Sequence, residues 1–310
     1  MIKIYAPASI GNVGVGFDIL GAAITPIDGT LLGDCVSIQS SKTFQLHNHG
    51  NFSTQLPGDI KKNITWQAWN WFNKKTKKKT PVSITLKKNM PIGSGLGSSA
   101  SSIVASVLAL NKFYKTNLTQ RELINIMGRL EGFISGSVHY DNVAPCYLGG
   151  LQLVTNDLFH KTQSLPVFKN WLWIIAWPGI ALPTSVSRNL LPQKYNKDIC
   201  ITNSRNLSTF IHALHSNQPE LAIRFMTDVL AEPYRIPLIP QFLNTKNAIM
   251  QLGALTCSIS GSGPTIFSIC LDIGVAKKIK KWLEVNFIKN EQGFVHICTI
   301  DQLGARRIGS

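Results

Sequence analysis

The stretch PIGSGLGSSAS, Pro91 to Ser101, constrains the fold of this 310-residue chain more than any other. Before it, Val82, Ile84 and Leu86 alternate with the period of a strand, and Pro91 brings that strand to a stop. After it, Ala100, Ile103, Val104, Val107 and Leu108 recur at helical spacing. A glycine-rich loop between a strand and a helix start points free backbone N–H groups at one place, and the helix dipole adds partial positive charge there. An anion, most often a phosphate, is the natural guest of such a loop.

Neither familiar phosphate fingerprint fits. No lysine follows the glycines, as G-x-x-x-x-G-K-[ST] demands, and G-x-G-x-x-G fails because Ser98 takes the sixth position after Gly93 and Gly95. Ile92 leads into Gly93, Gly95 and Gly97, which alternate with Ser94 and Leu96 and let the backbone curl closely around a phosphate tail. Ser98 and Ser99 stand where N-cap hydroxyls belong, ahead of Ala100 and Ser101. A serine hydroxyl there can also ligate the Mg2+ that a nucleotide triphosphate brings. The plainer reading is a well-capped helix behind a tight turn. Glu131, four residues after Met127 on the same side of its helix, points inward as a carboxylate that completes a metal site. An exposed helix-end glutamate is its plain alternative.

Elsewhere, Lys3 to Ala6 reads as a first strand, followed by the glycine-rich turn PASIGNVGVGFDILG. Thr119 and Glu122 form a capping box ahead of a helix with Leu123, Ile126, Met127 and Leu130 on one face. WLWIIAW, from Trp171, is a buried strand, and helices follow around Asn203 to His215 and Pro219 to Leu230. GALTCSISGSGPTIFSIC, from Gly253, reads as strand, tight glycine turn, strand; AKKIKKWLEVNF is an amphipathic helix and GFVHICTI a last strand. Strands and helices mix without strict alternation, so the expected class is α+β.

Composition narrows the setting. With 44% hydrophobic and 15% charged residues, the chain is folded and globular rather than disordered. Cys35, Cys146, Cys200, Cys257, Cys270 and Cys298 are scattered without zinc-site spacing, which predicts reduced thiols. Met1 to Ser9 lacks the apolar run of a signal peptide, and WLWIIAWPGIAL is too short for a membrane span and broken by Pro178. A soluble cytoplasmic protein with no membrane partner is expected. The formal charge of +15 raises a polyanion surface, yet KKTKKK (Lys74 to Lys79) and KKIKK (Lys277 to Lys281) fall on polar ends or faces of helices. No RNP, zinc or helix-turn-helix signature accompanies that charge, so no nucleic-acid partner is expected.

PIGSGLGSSAS resembles the second conserved motif of the GHMP kinases, the superfamily of galactokinase, homoserine kinase, mevalonate kinase and phosphomevalonate kinase. YAPASIGNVGVGFDILG, GSVHYDNVAPCYLGG and SISGSGPTIFSI are similar to other conserved stretches of that family, and their order and spacing over nearly the whole chain fit the homoserine kinases. The resemblance implies a two-domain fold. An N-terminal ATP-binding domain of the ribosomal protein S5 domain 2 type would span residues 1–165, and a ferredoxin-like domain residues 166–310. It also implies transfer of the ATP γ-phosphoryl group to the side-chain hydroxyl of L-homoserine, in threonine synthesis from aspartate, with ATP and Mg2+ as cofactors. Homodimers are common in the family.

On that resemblance the loop from Pro91 to Ser101 wraps the phosphates, and Ser99 or Ser98, with Glu131, holds Mg2+. Asp18 suits the substrate ammonium, and Asn12 hydrogen-bonds the ligand from the same turn. Arg188, in TSVSR, and Arg235, in EPYR, suit the carboxylate. Thr184 shares an element with Arg188, and Ser187 stands where the family commonly has Ala. Gly261 either supports the substrate or simply allows a tight reversal. His139, Asp141 and Asn142 form the expected catalytic loop, in which His139 and Asp141 face the same way if the segment is extended. Asp141 is either the general base or a group that positions the hydroxyl while the γ-phosphate takes the proton. Lys87 and Lys88 read as an exposed strand end, with charge near the nucleotide as the alternative. Three further readings stay open: a mevalonate-type kinase, a non-catalytic nucleotide-binding partner protein, and a nucleic-acid binder.

Overall fold

The computed structural model describes residues 1–76, 80–136, 138–155, 157 and 161–309, so Lys77 to Lys79 of the first lysine cluster and Ser137 of the GSVHYDN stretch lie outside the described residues. The first half runs β1 (Ile2–Gly11), β2 (Leu20–Pro26), β3 (Gly33–Ser40), β4 (Gln45–His49), α1 (Ile64–Thr76), β5 (Val82–Lys87), α2 (Ser98–Tyr114), α3 (Gln120–Ser135), α4 (Val143–Leu148), β6 (Leu151–Val154) and β7 (Thr162–Leu165). The second half adds β8 (Leu172–Trp177), α5 (Thr184–Asn189), α6 (Lys197–His215), α7 (Pro219–Phe225), α8 (Glu232–Arg235), α9 (Phe242–Gln251), β9 (Thr256–Ile259), β10 (Ile266–Cys270), α10 (Ile273–Asn286), β11 (Phe294–Ile300) and β12 (Arg306–Arg307).

One twelve-stranded sheet carries the fold, in the order β4-β5-β3-β1-β2-β11-β8-β10-β9, with β12 on β1, β6 on β2 and β7 on β6. Its pairings are antiparallel except β4 with β5, which α1 connects. Strands from both halves of the chain thus interleave: β11 lies between β2 and β8. The apolar run in β8 follows from burial on both faces. Trp173 and Ile175 face one core with Phe267 and Ile269 of β10, while Ile174 and Ala176 face another with Ile266 and Cys270. A third core packs α1, α2 and α3 on β1, β3 and β5 through Ile4, Val36, Ile84, Val104 and Met127.

The predicted capping box is present, with the Thr119 hydroxyl accepting the Glu122 N–H and the Glu122 carboxylate accepting the Thr119 N–H. Three expectations need correction. α7 stops at Phe225 rather than near Leu230, because the Asp228 carboxylate accepts the N–H groups of Leu230, Ala231 and Glu232 and so turns the chain into α8. And α2 begins on Gly97, at φ 64°, with no side chain capping it; the serines follow inside the helix. The first turn of α2 therefore offers N–H groups that no side-chain cap consumes.

Lys88, expected at an exposed strand end, is 2% exposed. Its ammonium donates to Asp34 Oδ2 at 2.5 Å, to the Ser98 carbonyl at 2.8 Å and to Ser102 Oγ at 3.0 Å. Asp34 Oδ1 in turn accepts from the N–H groups of Asn89 and Met90. This knot ties β3, the end of β5 and the start of α2 together beneath the glycine loop. Leu96 and Met90, both at 0% exposure, anchor the loop from the apolar side, each burial contributing about 1.5–3 kcal/mol.

No helix among the described residues is long and apolar enough to cross a membrane. Asp34→Ala removes one partner of a buried ion pair and is expected to cost about 3–5 kcal/mol of unfolding free energy in urea titrations. A loss below about 1 kcal/mol would show the knot to be incidental.

Candidate active site

A cleft of about 430 Å³ opens where the glycine loop, the start of α2, α3, the loop before α4, α5, α8 and the β9–β10 turn converge. Asn12, Asp18, Glu131, His139, Asp141, Asn142, Thr184, Arg188, Arg235 and Gly261 line it, as do Ile92, Gly93, Ser94, Gly95, Gly97, Ser98 and Ser99. Of the expected loop residues, Leu96, Ala100 and Ser101 turn fully into the interior, and Pro91 is buried beside them. Their backbone can shape the loop, but their side chains do not face the cleft. Ser101 is occupied elsewhere, donating to the Ala6 carbonyl and accepting from the Asp34 N–H.

Glycine is required where the loop meets its neighbours. A Cβ on Gly95, at φ 81°, would sit 2.4 Å from the Ser260 carbonyl, and one on Gly97 would sit 2.2 Å from Ser9 Oγ. The β9–β10 turn holds the loop directly: Ser260 Oγ donates to the Gly95 carbonyl at 2.7 Å, and the Thr265 N–H to that of Ser94.

The two serines at the helix start separate in role, since successive residues project about 100° apart around a helix. Ser98 Oγ donates to the Met90 carbonyl at 3.1 Å and is buried. Ser99 Oγ donates to Glu131 Oε1 at 2.7 Å. Burial pushes the Glu131 carboxyl above the ordinary range, opposed by the Ser99 hydrogen bond and the charge of Lys88. A hydroxyl and a carboxylate side by side, both hard oxygen donors, fit a divalent cation such as Mg2+.

Across the cleft, Asp18 sits at φ 59° in the turn after β1, held by its N–H to Asn12 Oδ1 at 3.0 Å. Asn12 Nδ2 reaches the Gly261 carbonyl at 3.2 Å. The Asn12 amide thus shapes the turn while lining the cleft. Arg188 forks onto Asp18, with Nη2 at 2.7 Å from Oδ1 and Nη1 at 3.1 Å from Oδ2. His139 Nδ1 lies 3.8 Å from the same carboxylate; burial, then Arg188 against the pull of Asp18, keeps its imidazole below the ordinary range and so neutral at pH 7. Arg235, 2% exposed, donates to the Gly261 carbonyl at 2.7 Å. Both guanidiniums approach the ring of Phe17, at 6.0 Å for Arg188 and 5.3 Å for Arg235.

Between these charges and the glycine loop lies Asp141, 5% exposed. Burial first, then the charges of Asp18 and Glu131, raise its carboxyl to about 7, with Arg188 opposing. Its Oδ2 accepts from Asn142 Nδ2 at 3.1 Å. Thr184 is exposed at the rim, 3.4 Å from Ser262 Oγ, and Ser187 Oγ donates to the Ser262 carbonyl, docking α5 on that turn.

Several lining residues escape sequence reasoning. Gln55, Leu56, Pro57, Lys62 and Ile64 form one wall, built from two short 3-10 turns ahead of α1 that carry no chemical motif. Lys88 also reaches the cleft, although two adjacent lysines at a strand end give no hint of burial.

The profile of the GHMP kinases N terminal domain matches residues 63–150, and that of the GHMP kinases C terminal matches residues 207–284. Homoserine kinase of Buchnera aphidicola subsp. Cinara cedri is 70% identical over 308 residues, covering 99% of this chain and 98% of its own. Its counterpart from Buchnera aphidicola subsp. Acyrthosiphon pisum (strain APS) is 58% identical over the full length of both chains. The crystal structure of homoserine kinase from Cytophaga hutchinsonii superposes with a TM-score of 0.89 at 33% identity, over 99% of this chain and 97% of that one. Mevalonate kinase of L. major shares the fold, with a TM-score of 0.70 at 17% identity over 96% of this chain and 95% of its own. With both family profiles matched in order and with identity of 58–70% sustained from end to end, the chain belongs to the homoserine kinases of the GHMP kinase family and has their two-domain α+β fold.

Proposed function

We propose that the protein transfers the γ-phosphoryl group of ATP to the side-chain hydroxyl of L-homoserine, giving O-phospho-L-homoserine. The observation that carries this reading is the pairing of a forked Asp18–Arg188 ion pair with an uncapped helix start in one cleft. A zwitterionic amino acid can replace both halves of that pair, its ammonium meeting Asp18 and its carboxylate meeting Arg188 and Arg235. A ligand with only one charge leaves the other half unpaired in a partly desolvated site. Mevalonate, which has no ammonium, fits it less well.

Residues 1–165 supply the glycine loop, Asp18, Glu131 and the catalytic loop, while residues 166–310 supply the arginines and Gly261. In this reading the phosphates lie against the loop from Gly93 to Gly97 and the first turn of α2. Ser99 and Glu131 hold Mg2+, which when bound neutralises phosphate charge. Ser99 is favoured over Ser98 because its hydroxyl already meets the Glu131 carboxylate, whereas that of Ser98 turns to the Met90 carbonyl. Asp141 receives the hydrogen bond of the substrate hydroxyl and aligns its oxygen; a carboxyl balanced near pH 7 is also suited to take the proton. His139 stays neutral and orients Arg188 and the substrate. Catalysis rests on positioning and electrostatics.

A coupled ADP-release assay with homoserine and mevalonate tests the reading. Homoserine is expected to win by at least about a hundredfold in kcat/KM, the scale on which a site rejects a ligand that leaves a buried polar group unpaired; turnover with mevalonate alone would overturn it. Arg235→Lys is expected to raise KM for homoserine by about ten- to hundredfold, the 1.5–3 kcal/mol of hydrogen bonds to a charged group, and to leave KM for ATP unchanged.

Asp141→Asn should lose about a hundredfold in kcat yet gain stability. The carboxyl ordinarily titrates at 3.8 and in the fold at about 7, so between those values the unfolded chain has released a proton that the folded chain keeps. Stability of the native protein therefore falls as pH rises through that window and levels off above it. Asparagine removes the slope, so the variant's advantage in thermal melts should grow from pH 4 to pH 7, reaching about 1–4 kcal/mol at pH 8.

A further inference from the structure

Ser9 lies on β1 with 0% exposure, at the meeting point of three stretches far apart in the chain. Its N–H donates to the Leu96 carbonyl of the glycine loop at 3.1 Å. Its hydroxyl donates to Asn142 Oδ1 at 2.9 Å, and the other end of that amide, Nδ2, donates to Asp141 Oδ2 at 3.1 Å. Gly97 closes over the top, since a Cβ there would lie 2.2 Å from Ser9 Oγ and 3.0 Å from Asn142 Oδ1. Gly11 closes the side, since its Cβ would lie 2.7 Å from Asp141 Oδ2 and 2.9 Å from Asn142 Nδ2.

The direction of these bonds matters. An amide has one acceptor end and one donor end, and a carboxylate only accepts. With the Ser9 proton on Oδ1, Asn142 must present Nδ2 to Asp141; turned over, it would set Oδ1 against the carboxylate oxygen. Gly97 and Gly11 pack closely against the amide, without a side chain between. Asp141 Oδ2 is thereby held where the residue lines the cleft.

We propose that Ser9 is a positioning residue for phosphoryl transfer: through Asn142 it fixes the Asp141 carboxylate relative to the glycine loop that cradles the phosphates. This rests on the reading of Asp141 as the group that meets the substrate hydroxyl. Removing the Ser9 hydroxyl leaves Asn142 Oδ1 a buried acceptor without its donor and frees the amide to turn. The consequence falls on alignment in the transition state, not on binding of either substrate.

The test is a double-mutant cycle of Ser9→Ala and Asn142→Ala, with kcat referred to ATP-binding sites and KM measured for both substrates. Ser9→Ala is expected to lower kcat roughly five- to tenfold, the scale of one neutral hydrogen bond, with both KM values held within about twofold. Added to Asn142→Ala, it should cost less than about a further twofold, because its effect passes through that amide. A Ser9→Ala enzyme with native kcat, a loss that appears in KM for ATP, or losses that multiply in full would each overturn the proposal. Should Ser9→Ala fail to fold, Asn142→Ala alone decides: a native kcat in that variant removes the link to Asp141. Full activity in Asp141→Asn would instead sink the underlying reading, so the two failures are distinct.

Discussion

The buried pair of Lys88 and Asp34 is the interaction on which the site's geometry depends. Two charges taken from water cost several kcal/mol each, and their attraction offsets this only when every remaining donor and acceptor finds a partner. Here they do: the ammonium has Asp34, Ser102 and the Ser98 carbonyl, and the carboxylate also takes two backbone N–H groups from the segment entering the glycine loop. Because Ser98 is the first residue of α2, the same pair sets where the helix start points. A hydrophobic replacement could match its stability, but it would leave those loop N–H groups without an acceptor.

A second constraint works from the opposite wall. Asp228 accepts the N–H groups leading into the four-residue helix α8, and Glu232, its first residue, bonds Lys246 and Ser258, so Arg235 is carried on an element too short to stand alone but pinned at its start. Two guanidiniums approach the ring of Phe17, whose electron-rich faces attract cations. Its neighbour Asp18 neutralises one of the two. The remaining positive charge sits where an anionic ligand group is wanted.

Much of this is legible in the sequence. The glycine loop is bracketed by a strand period, a proline and a helix period, and the α3 capping box is a local pattern with a local cause. The long-range links are not. Asp34 is 54 residues from Lys88, and Asn12 is 249 residues from the Gly261 carbonyl that claims its amide, so spacing alone cannot reveal either role. Nor can it choose between Ser98 and Ser99, since neighbours on a helix start differ only in the direction they project. The assignment of N-cap serines fails for a related reason: Gly97, in the left-handed region, already turns the chain into the helix.

The cleft gathers Asp18, Glu131, Asp141 and two arginines in a partly dehydrated space, where the acids crowd one another. Asp141 bears the imbalance, with its carboxyl driven to about 7 by burial and by the other two acids. Glu131 is pushed the same way. Such crowding lowers the stability of the empty fold, and the proposed ligands bring charge and hydrogen bonds to the same groups: a cation to Ser99 and Glu131, an ammonium to Asp18, a carboxylate to the arginines and a hydroxyl to Asp141. Binding then both stabilises the fold by mass action and relieves the local repulsion. Asp141, the group that the unliganded protein holds least comfortably, is therefore also one that defines what it recognises.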